Sequence, residues 1–357
     1  MHATIRLALA IGLFLTTGPW GIAQGIDPSL LKDLKPRSIG PAGMSGRVTA
    51  IDVVNTNPEI IYVGTASGGV WKTTGGGQSW TPLFEKEATS SIGSLAIDQS
   101  NPSVIWVGTG EGNPRNSLNG GYGVYRSIDA GKNWQHMGLE ETRHIHRILI
   151  DPRDANTVYV GAIGSPWGEH PERGVFKTTD GGKTWAKILF SNNRSGVADM
   201  VMDPHNPNKI VVALWEHKRD PWHFTSGGKG SGLYITHDGG ETWQQKTHSD
   251  GLPKGDLGRI GLAIAPSNPD RIYALIESKK NALYRSDDGG VHWQKINDND
   301  DIGNRPFYYS DIFVDPQNEH LVYSVFTYVN VSIDGGKSFE QLMPAYGVDN
   351  GVHPDHH

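Results

Sequence analysis

At 357 residues with a net charge of −6 and a pI near 6.2, the chain has no basic field to hold phosphates, which argues against nucleic acid and anionic membranes as partners. Its 46 glycines, 21 prolines and 11 tryptophans, with charged residues at only 20%, favour short strands joined by tight turns, an all-β class. There is no cysteine, so disulfides, thiolate metal sites and cysteine nucleophiles are excluded, and packing must hold the fold.

Residues 1–23 have the pattern of a signal peptide. Arg6 gives a weak positive start, Leu7 to Leu15 form a short apolar run, and Gly21-Ile22-Ala23 is a small-x-small cleavage site before Gln24. The apolar run is too short to span a bilayer, and no later segment reads as a transmembrane helix. Export is expected, with the mature chain secreted or periplasmic.

From there a repeat governs the sequence. Thr73 to Trp80 recurs as Ser127 to Trp134, Thr178 to Trp185, Thr236 to Trp243, Ser286 to Trp293 and Ser332 to Phe339, with 54, 51, 58, 50 and 46 residues between the final aromatics. A period of roughly 40 to 50 residues is the mark of propellers and arrays. The copies approximate Ser/Thr-x-Asp-x-Gly-x-Ser/Thr-Trp. The carboxylate caps local amides, a glycine takes the positive φ that closes the hairpin, and the aromatic packs between sheets. Asp129, Asp180, Asp238, Asp288 and Asp334 hold the acidic position; Gly75 replaces it in the first copy, which is expected to have the loosest turn.

An Asx-Pro turn precedes each box, at Asn57, Asn101, Asp151, Asn206, Asn268 and Asp315, between two apolar strands. Each unit therefore reads as strand A, turn, strand B, variable loop, strand C, box, strand D, the four antiparallel strands of a propeller blade. The expected blades cover about 46–84, 91–138, 145–190, 196–248, 257–297 and 308–342 within a propeller region at 24–342.

The six boxes resemble the Asp-box (bacterial neuraminidase repeat) β-propeller superfamily over nearly all of the chain from about Pro36. The string Ser45-Gly46-Arg47-Val48-Thr49, followed by Tyr62 to Trp71, is most similar to the opening of the sortilin-like and xyloglucanase-like branch. The resemblance implies fold and leaves activity open, since sialidases, xyloglucanases, sortilin-type receptors and photosystem assembly factors share it. It also implies that the boxes lie on one rim and that ligands meet the B–C and D–A loops on the other.

Those loops carry the candidate ligand-binding residues. The loop at 110–123 holds Glu111, Arg115 and Asn116; that at 164–174 holds Trp167, Glu169, His170 and Arg173; that at 215–232 holds Trp215, Glu216, His217, Arg219, Trp222 and His223. Indole faces beside Arg, Asn and Glu suit a sugar ring or an extended peptide, although packing of loop tips on one another explains the same residues. Arg47, Arg147 and Arg259 begin three inner strands, and either converge to hold a carboxylate or pair with acids on adjacent blades. Arg305 and Tyr308 extend the same face.

For catalysis, the xyloglucanase resemblance implies an Asp in the loop after the first strand B, where this chain has Ala66, and a partner carboxylate from a second propeller. A sialidase-like site implies an Arg-Ile-Pro motif, and Arg37-Ser38-Ile39-Gly40-Pro41 departs from it. Glu111 and Glu169 are the candidate general acids. The expected function is recognition of an extended polysaccharide or peptide, with a glycoside hydrolase or an envelope-assembly scaffold as alternatives. No cofactor is expected. His353, Asp355 and His356 are weak metal candidates in a tail at 343–357 that reads as the entry to a further blade. Lys35 to Ile39 reads as the outer strand of a closing blade, so the chain is expected to be a fragment with an open edge after its sixth blade.

Overall fold

The computed structural model describes residues 47–303, 307–308 and 311–343. The chain divides into two units, Met1–Gly40 and Pro41–His357. The signal-peptide segment, Lys35–Ile39, Arg305 and the tail candidates His353, Asp355 and His356 lie outside the described residues.

Among the described residues the second unit is all-β, with six antiparallel sheets in chain order. They are β1–β4 (Val48–Val53, Ile61–Thr65, Gly69–Thr73, Thr81–Pro82), β5–β8 (Ile92–Ile97, Ile105–Thr109, Val124–Ser127, Gln135–His136) and β9–β12 (Ile145–Asp151, Asp154–Ala162, Gly174–Thr178, Ala186–Leu189). Next come β13–β17 (Ser195–Met202, Ile210–Asp220, His223–Ser226, Gly232–Thr236, Gln244–Lys246), β18–β21 (Ile260–Ile264, Ile272–Ile276, Ala282–Ser286, Gln294–Asn297) and β22–β25 (Asp311–Val314, Val322–Val325, Val329–Ser332, Glu340–Met343). The fourth sheet has an extra strand, β15, which pairs only with an extension of β14. Pairing of the sixth sheet with the first is not seen among the described residues. No helix among them is long and apolar enough to cross a membrane.

Apolar alternation explains why the sheets stack. Each core is shared by two consecutive sheets: Tyr62, Val70 and Phe84 with Ile105 and Tyr125, then Trp106 and Ile145 with Val160, then Tyr159 and Val175 with Val212. Leu233 and Ile235 with Ile272, and Tyr273 and Leu283 with Ile312, continue the series. The box aromatics Trp134, Trp185, Trp243, Trp293 and Phe339 each join the core shared with the preceding sheet. The first strands of all six sheets line one cavity of about 550 Å³.

Each box works as the spacing of its polar atoms requires. In the third, Thr178 Oγ1 accepts from the amides of Asp180 and Gly182 at 3.3 and 3.0 Å, while Asp180 takes the amides of Lys183 and Thr184, both at 3.0 Å. These bonds, chiefly those from Thr184, hold the Asp180 carboxyl far below the usual range. The Gly181 amide then donates to Asn156 O, which joins the box to the A–B turn of its own sheet. Gly182 sits at φ 89°, and a Cβ there would meet Trp106 of the preceding sheet at 2.9 Å, so both conformation and space demand glycine.

The first box keeps the hydroxyl half alone. Thr73 Oγ1 accepts from Gly75 and Gly77, but the Ser79 amide has no carboxylate corresponding to Asp180. Gly75 has ordinary φ and open space around its Cβ position. Gly75→Asp should therefore stabilise the protein by about 1 kcal/mol, whereas Asp180→Ala should lower the unfolding temperature. Thermal melts of both variants beside the wild type check the pair; an unchanged or lower midpoint for Gly75→Asp would show that the acid is dispensable to the turn.

Candidate functional site

The inner strands end in charge, and the charge is matched. Arg47 grips Glu111 with two parallel bonds, Nε to Oε1 at 2.6 Å and an amino nitrogen to Oε2 at 2.5 Å, and Glu111 is fully buried. Arg147 donates to Asp199 at 2.7 Å and lies 3.6 Å from Asp311, which is also 3.7 Å from Arg259. Arg259 donates to Tyr308 O at 2.7 Å, and Asp199 accepts from the amides of Met200 and Leu262. The second of the two sequence readings therefore holds: the three arginines pair with acids on neighbouring sheets. Two guanidiniums and two carboxylates neutralise one another at this end of the cavity, so Arg147 and Arg259 are not poised for a ligand carboxylate.

The loops above this layer reach across it. Arg115, in the loop after β6, hydrogen-bonds the Tyr308 hydroxyl and stacks over its ring, 5.1 Å from the centroid. Asn116 accepts from Arg219 Nε at 2.6 Å, and the Arg219 guanidinium lies 5.3 Å from the Phe224 ring centroid. Loops of the second, fourth and sixth sheets are thus tied together at this face. Tyr308 is buried and acts as a hub for these contacts.

Residues 215–232 are not the single long loop expected. β14 runs on to Asp220 and returns as β15, pairing His217 with Ser226 and Asp220 with His223, so Pro221 and Trp222 form the tip of a hairpin. Trp215 lies in its base, fully buried; its ring stacks on His217 at 4.3 Å and its indole N–H donates to Ser226 at 3.0 Å. Trp215 is therefore a packing residue, contrary to its expected place among the ligand contacts. Trp222 is 87% exposed and Trp167 44%. The Arg219 amide donates to Pro166 O at 2.7 Å, which fixes the hairpin to the Trp167 loop.

Arg173 is also buried rather than available to a ligand. Its guanidinium donates to the carbonyls of Ile163, Arg194, Ser165 and Gly168, with no carboxylate partner, and burial lowers it to about 10. The planar fork satisfies a loop that lacks regular pairing and so shapes the segment carrying Trp167. Glu169, at its rim, pairs with Arg194 at 3.1 Å; both are exposed.

Three histidines, His144, His170 and His217, lie beside this clamp, and of these His144 went unread because nothing in its spacing marks it. His144 is held by its ring Nδ1 to Glu111 O at 2.8 Å, and burial pushes it down to about 4, helped by the charge of Arg173. Burial, with Arg173, His144 and Arg259 nearby, also lowers His217 strongly, and burial lowers His170. Glu277 was likewise missed, whereas Glu216 lies in the 215–232 segment read above. Glu216 accepts from Gly230 N at 2.9 Å, and Glu277 accepts from Ser226 Oγ at 2.6 Å and from Arg259 N at 2.8 Å. No cluster of three or more metal-ligating side chains occurs among the described residues.

A histidine with a depressed folded value binds its proton more readily when the chain is unfolded. Stability is then full above about pH 6.5 and falls as the pH drops from there to about 4, for His144 by on the order of 3 kcal/mol. Urea melts from pH 7 to pH 4 should show this slope, flattened in His144→Asn, which keeps a donor for Glu111 O. Equal slopes in the two proteins would refute the assignment.

A family model described as Sortilin-Vps10 (sortilin, neurotensin receptor 3) matches residues 122–251. A xyloglucanase of Paenibacillus sp is 24% identical over 295 residues, which is 74% of this chain and 26% of the enzyme. The chain thus spans about a quarter of that relative's length. Among solved structures, an ancestral GH74 enzyme has a TM-score of 0.61 at 21% identity, covering 85% of this chain and 39% of the other. YCF48 bound to D1 peptide has a TM-score of 0.54 at 13% identity, covering 86% and 87%. The fold is that of an Asp-box propeller similar to the sortilin and xyloglucanase branch.

Proposed function

We propose that this Asp-box propeller, similar to sortilin-type and xyloglucanase-type proteins, is an exported recognition module that binds an extended polysaccharide across its loop face. The observation that carries the reading is the pair of exposed indoles, Trp167 and Trp222, on loops fixed to each other by the Arg219–Pro166 backbone bond. Rigidly held aromatic faces bind at low entropic cost, and flat apolar faces suit the rings of a sugar chain. Glu169 and Arg219 on these loops, with Arg194 and Asn116 bonded to them from neighbouring loops, supply hydrogen-bonding edges. The apolar leader read in the sequence supports export, and the xyloglucanase relative supports a polysaccharide over a peptide.

Glycoside hydrolysis is the second reading, favoured by that same relative. Against it, the carboxylates proposed as acids are taken: Glu111 by Arg47 and Glu169 by Arg194. Ala66 stands where the xyloglucanase resemblance implies an Asp, and it is buried. A hydrolase requires two carboxylates facing the scissile bond.

Isothermal titration with xyloglucan oligosaccharides tests the proposal. Trp167→Ala and Trp222→Ala should each weaken binding about tenfold, or ~1.4 kcal/mol, with little change in melting temperature. Trp215→Ala should instead lower the melting temperature sharply, since a buried indole leaves a cavity of its own size. Release of reducing ends by the wild type would favour the hydrolase; unchanged binding in both loop variants would defeat the recognition reading at these residues.

A further inference from the structure

Beside the base of the Trp222 hairpin, between the fourth sheet and the segment that leads to the fifth, lies a cleft of about 280 Å³ lined by Lys229, Ser231, Lys246 and His248, with Asp256 also on its wall. Lys246 ends β17 and is only 4% exposed. Its ammonium has one hydrogen-bond partner, the neutral side chain of Gln244 at 3.0 Å, and no carboxylate within salt-bridge distance. Its charge reaches Asp250, whose carboxylate is lowered first by the Thr247 amide bond at 2.7 Å, with the Thr247 hydroxyl at 3.2 Å and the Lys246 charge adding to it. Lys209 of the same sheet shows the usual arrangement: at similar burial it meets Asp203 at 2.8 Å and Pro269 O at 2.9 Å.

A lysine is almost never fully buried without a counter-charge, because its three donors and its charge both lose water. The two lysines outnumber the single acid on the cleft wall, and Lys246 has donors to spare. We propose that this cleft is an anion subsite, taking the carboxylate of an acidic sugar, with Lys246 as the principal contact and Lys229 at the rim. This rests on the polysaccharide reading above and narrows it to uronate-bearing chains. The cleft adjoins Gly228 and Ser231, the segment that leads out of β15, so a chain laid along the hairpin continues into it.

Titration of the full chain with trigalacturonate, the neutral cellotriose and triglutamate tests the inference, using wild type, Lys246→Met and Lys246→Arg. Trigalacturonate should bind in preference to cellotriose, lose at least tenfold in Lys246→Met, and recover in part in Lys246→Arg. The unliganded Lys246→Met protein should melt no lower than the wild type, since a buried charge with no carboxylate in contact has been replaced by an apolar chain of similar length. Undiminished trigalacturonate binding in Lys246→Met would overturn the proposal, as would a melting temperature several degrees lower, which would make the lysine structural. Equal binding of triglutamate, with the same loss in Lys246→Met, would overturn the sugar as the source of the carboxylate. The polysaccharide reading fails separately, by unchanged binding in Trp167→Ala and Trp222→Ala, and a Lys246-dependent uronate response would survive that failure.

Discussion

Everything in this fold depends on how the turn before each outer strand is closed. A hydroxyl at the first box position accepts two amides, and an acid two residues on accepts the next ones, so most amides of a tight turn are satisfied by its own side chains. The turn also faces outward in two directions. Its amide at Gly181 holds the A–B turn of its own sheet, and box backbone carbonyls such as Gly239 O accept from Tyr159 and Lys177 of the sheet before. Gly182, Gly240, Gly290 and Gly336 let the box approach the preceding sheet closely enough that any Cβ would collide with it. One eight-residue motif therefore sets turn, register and sheet stacking together.

That economy leaves the opposite end free to vary. At the loop end each sheet solves its own problem: a bidentate Arg47–Glu111 pair, an alternating Arg–Asp layer, a buried Arg173 that satisfies four carbonyls, and a hairpin added to the fourth sheet. Irregular backbone is tolerated there because side chains supply the missing partners. The loops are consequently tied to one another without being repetitive, and the Arg219–Pro166 bond joins the backbone segments that carry Trp167 and Trp222.

The difference in regularity explains what could be read from the sequence. The boxes and the strand order were legible because each rests on contacts within a few residues, and Asp129 to Asp334 repeat the same local chemistry. The site was legible only as a list of residue types. Arg147 finds Asp199 and Asp311 far along the chain, and no periodicity encodes such a pairing. Trp215 and Trp222 are the same residue seven positions apart, yet one is the base of a hairpin and the other its tip; the strand's continuation through His217 and Arg219, which separates their fates, carries too many polar residues to look like one. His144 and His217 owe their lowered values to burial, which a sequence does not state.

The arrangement of charge decides where selectivity can reside. Arginines around a central cavity invite the idea of an axial anion site, but Arg147 and Arg259 are balanced by Asp199 and Asp311, and Arg47 by Glu111. A ligand anion entering there would have to displace a buried carboxylate from its guanidinium, and breaking a buried pair costs about 3–5 kcal/mol. The periphery is different. Arg219 is bound only to a neutral amide and an aromatic face, and Lys246 hydrogen-bonds only a neutral amide, so neither has a carboxylate in contact. Positive potential on this face is thus held off the axis, on the hairpin and on the cleft at its base, where meeting an anion requires no structural pair to break.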